Sequence, residues 1–223
     1  MPIFSEGRVL PAPSLAEREI GLSSKEHCTA LTLIGDGPGN HAHAESYLEL
    51  CHQRLLQVQP GIIALREQAK FRFGYRDEWE HNFDILATYQ GGARIAYTVK
   101  PEVRLSSGRF LEEMQLVAYW VQRKKFADAV QLLTEADIDR TALHNAELLT
   151  SLRDTDPQAD AIAREIASGF RGAVSLRDLT IKLDLKERGY RALLRLIRSG
   201  ELALFARDRI TPSTLVIWKG MTQ

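Results

Sequence analysis

The sequence has very little cysteine. Cys28 and Cys51 are the only two in 223 residues, which leaves no disulfide framework and no cysteine-based zinc site. Long apolar runs are missing too: none reaches the roughly eighteen residues that would suggest a membrane span. The opening MPIFSEGRVLPAPS has neither the basic start nor the apolar core of a secretory signal. A reduced, cytoplasmic protein with no membrane partner is therefore expected. Internal repeats and low-complexity tracts are absent as well.

Net charge is also lacking, since 29 Lys and Arg balance 29 Asp and Glu. The balance is uneven along the chain. Residues 157–223 hold twelve basic against seven acidic residues, a balance of +5, which leaves −5 for residues 1–156. Such asymmetry points to two domains, the second a candidate for polyanion contact. RDTDP, ending at Pro157, is the natural linker. Residues 1–26 read as an arm that orders only against something else.

Between these limits the pattern alternates helix and strand. From His43 the apolar positions Tyr47, Leu48, Cys51, Leu55 and Val58 recur at helical spacing until QPG stops them. Four strand-like runs follow: GIIALRE, AKFRFGY, NFDILATY and RIAYTVK. Gly91-Gly92 signals a hairpin between the last two. A helix is predicted over residues 109–124, with Phe110, Met114, Val117 and Val121 on one face. Thr134, with Asp137 three residues on, reads as the N-cap of another helix carrying Ile138, Leu143, Leu148 and Leu149. Residues 159–168, 175–183 and 186–199 are helical, and ELALFARDRITPSTLVIW reads as two strands around a turn. Three helices and a hairpin give the order of a winged helix-turn-helix.

Two apparent motifs carry little. IGDGPGN has Gly35 and Gly37 but Asn40 where a dinucleotide fingerprint needs its third glycine, and Pro38 lies inside the loop. His41 and His43 have no third ligand spaced to join them in a metal site. HNFDILATYQGGARIAYTVK is more informative. Strict alternation puts Phe83, Ile85 and Ala87 on one face and Asp84 and Leu86 on the other, while Thr98 and Lys100 share a face on the next strand. Asp84 and Lys100 can then meet near the strand ends. The plain reading is a cross-strand salt bridge, which contributes less than about 1 kcal/mol when exposed.

A helix acid, an Asp on one strand and a lysine on the next form the skeleton of the PD-(D/E)xK nuclease core. The stretches AESYLELCHQRLLQVQPGIIALREQAKFRF, HNFDILA and YTVKPE, with LLTEADIDRTALHNAELL further on, resemble the TnsA-type endonuclease subunit of heteromeric, Tn-seven-like transposases. The resemblance implies an α+β fold: a restriction-endonuclease-like mixed sheet flanked by helices over residues 27–153, followed by a winged-helix-like domain over 157–223. It implies Glu49 as the helix acid, Asp84 as the metal aspartate and Lys100 as the catalytic lysine. Glu45, one helical turn earlier, is the alternative acid. Mg²⁺, with Mn²⁺ as substitute, is the implied cofactor, a hard cation that prefers oxygen ligands.

The chain departs from the family where Thr98 replaces the usual Gln or Glu two residues before the lysine. A hydroxyl is a poorer ligand than a carboxylate, and the backbone carbonyl of Val99 can complete the shell instead. The implied partners are DNA at transposon ends, a DDE-type transposase subunit and a transposition ATPase. The implied reaction is hydrolysis of the 5′ strand at those ends. A catalytically degenerate scaffold with the same fold and a stand-alone restriction-like nuclease are the alternatives.

In KERGYRALLRLIRSG, Arg188, Arg191, Arg195 and Arg198 fall on one helical face opposite Tyr190, Leu193, Leu194 and Ile197. This stripe is expected to contact nucleic acid, or the acidic surface of the ATPase partner. A solvated face paired with Glu187 and Glu201 is the bland alternative.

Overall fold

The computed structural model describes residues 10–17 and 30–220, so Cys28, residues 1–9 and 18–26 of the arm, and the last three residues lie outside it. The chain is mixed α and β and divides into two compact units, one up to Ile138 and one from Asp139. This boundary corrects the linker reading at Pro157.

In the first unit, β1 (Ala30–Ile34) and β2 (Asn40–Ala44) form an antiparallel hairpin. The chain after the glycine loop therefore returns as a strand, and the context a dinucleotide loop requires is absent. Residues of the arm order against this hairpin: Ala12 bridges Asn40, with Ala12 N–H on Gly39 O (2.8 Å) and His41 N–H on Ala12 O (2.9 Å). Ser14 donates to the buried carboxylate of Glu67 (2.5 Å), and Glu17 pairs with Arg66.

Helix α1 (Tyr47–Gln57) starts at Ser46, whose hydroxyl accepts the N–H of Glu49. Its buried residues include Glu49, His52 and Gln53, whereas Tyr47 is exposed. Apolar spacing pointed to a different face. Part of this buried polar surface is bonded: His52 Nε2 lies 2.9 Å from Thr134 O, and Gln53 Nε2 donates to His43 O (2.8 Å), while Gln53 Oε1 has no hydrogen-bond partner among the described residues.

The strands β3 (Ile62–Phe73), β4 (Trp79–Tyr89) and β5 (Arg94–Val99) are antiparallel neighbours. The expected first two runs are thus one continuous strand. Gly91 and Gly92, both at positive φ, make the β4–β5 turn as expected. Helix α2 (Arg109–Arg123) then crosses to β6 (Ala129–Leu133), parallel to β5, giving the sheet order β3-β4-β5-β6.

Neighbours on β4 and β5 fall into different apolar clusters, as the pleat requires. Leu86 and Ala96 join Met114, Val117, Trp120 and Val121 of α2. Ile85 and Tyr97 join Leu56 of α1 and Ile34 and Ala42 of the hairpin. Each face of the sheet is therefore covered. The alternation fails at one place. Phe83 belongs with α2 and Ile85 with α1, although both are odd-numbered; on β3, Ala69 and Leu65 split the same way. The switch centres on Gln68, whose φ of 46° puts a non-glycine residue in the left-handed region.

Thr134 caps only a single 3-10 turn, Glu135–Asp137, through a reciprocal capping box. Helix α3 (Arg140–Thr150) has its own cap in Asp139, which opens the second unit. The Asn145 side chain bonds Asp208 O (2.9 Å) and Ile210 N (2.8 Å), binding α3 to the C-terminal residues. The second unit continues with α4 (Pro157–Ser168), β7 (Val174–Ser175), α5 (Leu176–Leu183), α6 (Lys186–Arg198), β8 (Leu202–Leu204) and β9 (Leu215–Trp218). Its sheet order is β7-β9-β8. Leu176, Leu179, Leu193, Leu196 and Leu202 fill the core of this unit.

Candidate active site

Asp84 sits in the sheet where the facing of the strands switches. The β3–β4 register, with Ala69 opposite Phe83 and Glu67 opposite Ile85, sets Gln68 directly across from it. On the other side, Thr98 stands one step beyond the last paired residues, Ile85 and Tyr97. Gln68, Asp84 and Thr98 therefore form a row across three strands. The Val99 N–H donates to Asp84 Oδ2 (2.7 Å), and Gln68 Nε2 lies 3.5 Å from Asp84 Oδ1. Val99 thus meets the aspartate through its N–H.

Glu49 lies near enough to this row for its charge to act on Asp84. Glu45 precedes the cap of α1 and gives its N–H to Glu49 Oε2 (2.9 Å), while Ser46 Oγ donates to Oε1 (2.9 Å). Glu49 therefore also serves as the third-position glutamate of a capping box. Burial raises its pKa, opposed by those two hydrogen bonds, and the Glu45 carboxylate raises it further. Burial pushes Asp84 up to about 7, and the negative charge of Glu49 adds to the rise. Lys100 lowers both acids. The Glu49 carboxylate thus disfavours ionisation of Asp84, a cost that a bound cation would relieve.

Lys100 directly follows β5, its N–H bonded to Leu133 O (3.0 Å). Its ammonium lies 5.7 Å from the Phe110 ring centroid and forms no salt bridge among the described residues. The plain cross-strand ion pair with Asp84 is thus not what the structure shows. Thr98 is buried and its Oγ1 is 3.3 Å from His81 Nε2. Burial, with Lys100 nearby, drives His81 down to about 4, so the imidazole is neutral at ordinary pH.

Sequence reasoning brought Glu49, Asp84, Thr98, Val99 and Lys100 to one place, and missed Gln68, His81 and Phe110. The available signal for Gln68 was a polar pair, Glu67-Gln68, inside a run otherwise suited to a strand.

Among the described residues no three His, Cys, Asp or Glu side chains gather as a metal site. A divalent cation at Asp84 would rest on two carboxylates completed by neutral oxygens. That set is all oxygen and suits Mg²⁺ or Mn²⁺. His41 and His43 lie on β2, not in a loop, with both Nδ1 atoms buried and without hydrogen-bond partners among the described residues.

The arginine stripe on α6 is not a bare cationic face. Arg188 makes a two-pronged pair with Asp156 (2.8 and 3.0 Å), and Arg195 closes on Asp160 (2.6 Å). Arg191 reaches Asp154 (3.6 Å) and Arg198 bonds Leu152 O (3.0 Å). The partners expected for a solvated face were Glu187 and Glu201, but Glu201 is taken by Arg164. The acids lie instead before and within the first turn of α4, where the helix N-terminus also favours negative charge.

No protein-family model matches the chain, and no curated protein matches it significantly.

Proposed function

We propose that this chain is a metal-dependent DNA endonuclease subunit of a transposase, cutting the 5′ strand at transposon ends while a DDE-type partner cuts the 3′ strand. The observation that carries the reading is that Asp84 and Glu49, both with raised pKa, lie within electrostatic reach of Lys100, which forms no salt bridge among the described residues. In this reading Asp84 and Glu49 would hold Mg²⁺, which would supply Lewis-acid polarisation of the phosphate and a more acidic water. Lys100 Nζ donates hydrogen bonds to the attacking water and the phosphate oxygens, and it offsets the charge that develops there. The Phe110 ring limits where the ammonium can swing. The contact of Thr98 Oγ1 with His81 Nε2 competes with any role of the threonine as a ligand.

The sheet supports the reading, because it puts the aspartate and the lysine on adjacent strands and the glutamate on a helix over them. In the second unit, the succession of helix, short strand, two helices and two strands supports a winged-helix domain for DNA or for the transposition ATPase. A cytoplasmic location accords with these partners; no helix among the described residues is long and apolar enough to cross a membrane. The second reading, a scaffold that has lost cutting, is favoured by Thr98, which faces His81 where the family has an amide or a carboxylate.

The test is reconstitution with the DDE-type partner on DNA carrying the transposon ends, in Mg²⁺. The expected result is 5′-strand nicks with the wild type and none with Asp84→Ala. Intact 5′ strands with the wild type, under conditions where the partner nicks 3′ strands, would leave the scaffold reading.

A further inference from the structure

Gln68 combines three properties that a structural strand residue has no reason to combine. Its backbone is in the left-handed region, which costs a residue with a Cβ about 1–3 kcal/mol. Its side chain is 1 % exposed, inside a sheet where an apolar side chain would pack without needing hydrogen-bond partners. The carboxamide is aimed at Asp84 Oδ1, yet at 3.5 Å the contact is at the outer limit of a hydrogen bond. A buried amide held by a strained backbone against a carboxylate, without a close bond to it, suits a site that something else completes.

The surroundings say what that is. On the opposite side of Asp84 the row offers only Thr98, engaged with His81. The Val99 N–H occupies Oδ2, which leaves Oδ1, on the Gln68 side, as the less committed oxygen. A cation bound to Oδ1 has the Gln68 carboxamide as its nearest uncharged neighbour on the row. The last side-chain torsion of glutamine is roughly two-fold, so the amide can present nitrogen to a bare carboxylate and oxygen to a cation.

We propose that Gln68 is a direct ligand of the divalent cation, its Oε1 supplying the neutral oxygen that the position of Thr98 does not. The inference rests on the nuclease reading of Asp84 and Glu49. It implies a site of two carboxylates and one carboxamide, with water filling the remaining positions.

Calorimetric titration of Mn²⁺ into the full chain tests it, with the metal-free melting temperature recorded for every variant. Gln68→Asn is the main variant, because asparagine tolerates the left-handed backbone while its shorter arm withdraws the oxygen. The expected result is affinity weaker by about tenfold or more with an unchanged metal-free melting temperature. Gln68→Glu, which replaces the neutral oxygen by a charged one, is expected to bind Mn²⁺ more tightly than wild type. Wild-type affinity in Gln68→Asn, or weaker binding in Gln68→Glu, would overturn the ligand role while leaving the site at Asp84 in place. No Mn²⁺ binding by the wild type would overturn the nuclease reading, and the ligand role with it.

Discussion

At the scale of single residues, Asp84 shows how burial and charge prepare a site. Its folded pKa lies near 7, above the ordinary 3.8, so the folded protein holds this proton more tightly than the unfolded chain does. The resulting stabilisation is fully present below pH 3.8 and is lost as pH rises through 7. Asp84→Asn keeps an acceptor for the Val99 N–H but cannot ionise. Its stability advantage over wild type should grow from pH 4 to 7, levelling at about 2–4 kcal/mol. Comparing the two proteins cancels the opposite trend from His81, whose depressed pKa costs stability as pH falls from 6.5 to 4. Urea unfolding at half-unit pH steps measures the difference; a constant offset would mean that Asp84 titrates normally. The β4–β5 hairpin was legible because the strand period and the Gly-Gly turn mark it. The place of Gln68 was not, because a polar pair inside a strand-like run does not reveal that one of its residues is left-handed.

At the scale of elements, helices were the most legible. The predicted spans 109–124, 159–168, 175–183 and 186–199 agree with α2, α4, α5 and α6 to within two residues. Local signals mark these ends: Asp156 before α4 with Pro157 as its first residue, Ser175 before α5, and Asp184 in the left-handed region after it. The partition of β3 into two runs failed because Gln68 bends the facing of the strand without ending its pairing. The α6 stripe misled for a different reason. A helical wheel shows which arginines share a face, but not that Asp156 and Asp160 stand against them. Arg195 is largely buried in its pair with Asp160, so Arg195→Ala should destabilise the second unit by about 1–2 kcal/mol, read as a lower urea midpoint. Neutralising Arg188 and Arg195 together should leave the salt dependence of DNA binding nearly unchanged. Two arginines on phosphates would instead flatten the log–log slope by about two.

At the scale of the whole molecule, the charge asymmetry read from the sequence overstates the difference between the two units. With the boundary at Asp139, the second unit gains Asp139, Glu147, Asp154 and Asp156 against Arg140 and Arg153. Its balance falls from +5 to +3, and several of the acids engage the arginines that looked free. The linker reading failed because α3 is locally continuous with the motif LLTEADIDR, whereas Asn145 and the buried Ala146 and Leu149 bind it to the C-terminal unit. Long-range attachments of this kind have no signature in spacing.

The proposal that the chain cuts DNA is tested most directly by Lys100→Ala, assayed on one labelled transposon-end DNA for both 5′-strand cleavage and binding, with the DDE-type partner and Mg²⁺ present. If Lys100 Nζ acts on the reacting water and phosphate, cleavage falls by at least about a hundredfold. Affinity should change by less than about tenfold, since one charge contributes little to a contact spread over many phosphates. Equal cleavage by variant and wild type, or none by either, would contradict the account and reduce the Asp84–Lys100 strand pair to a structural feature of a scaffold.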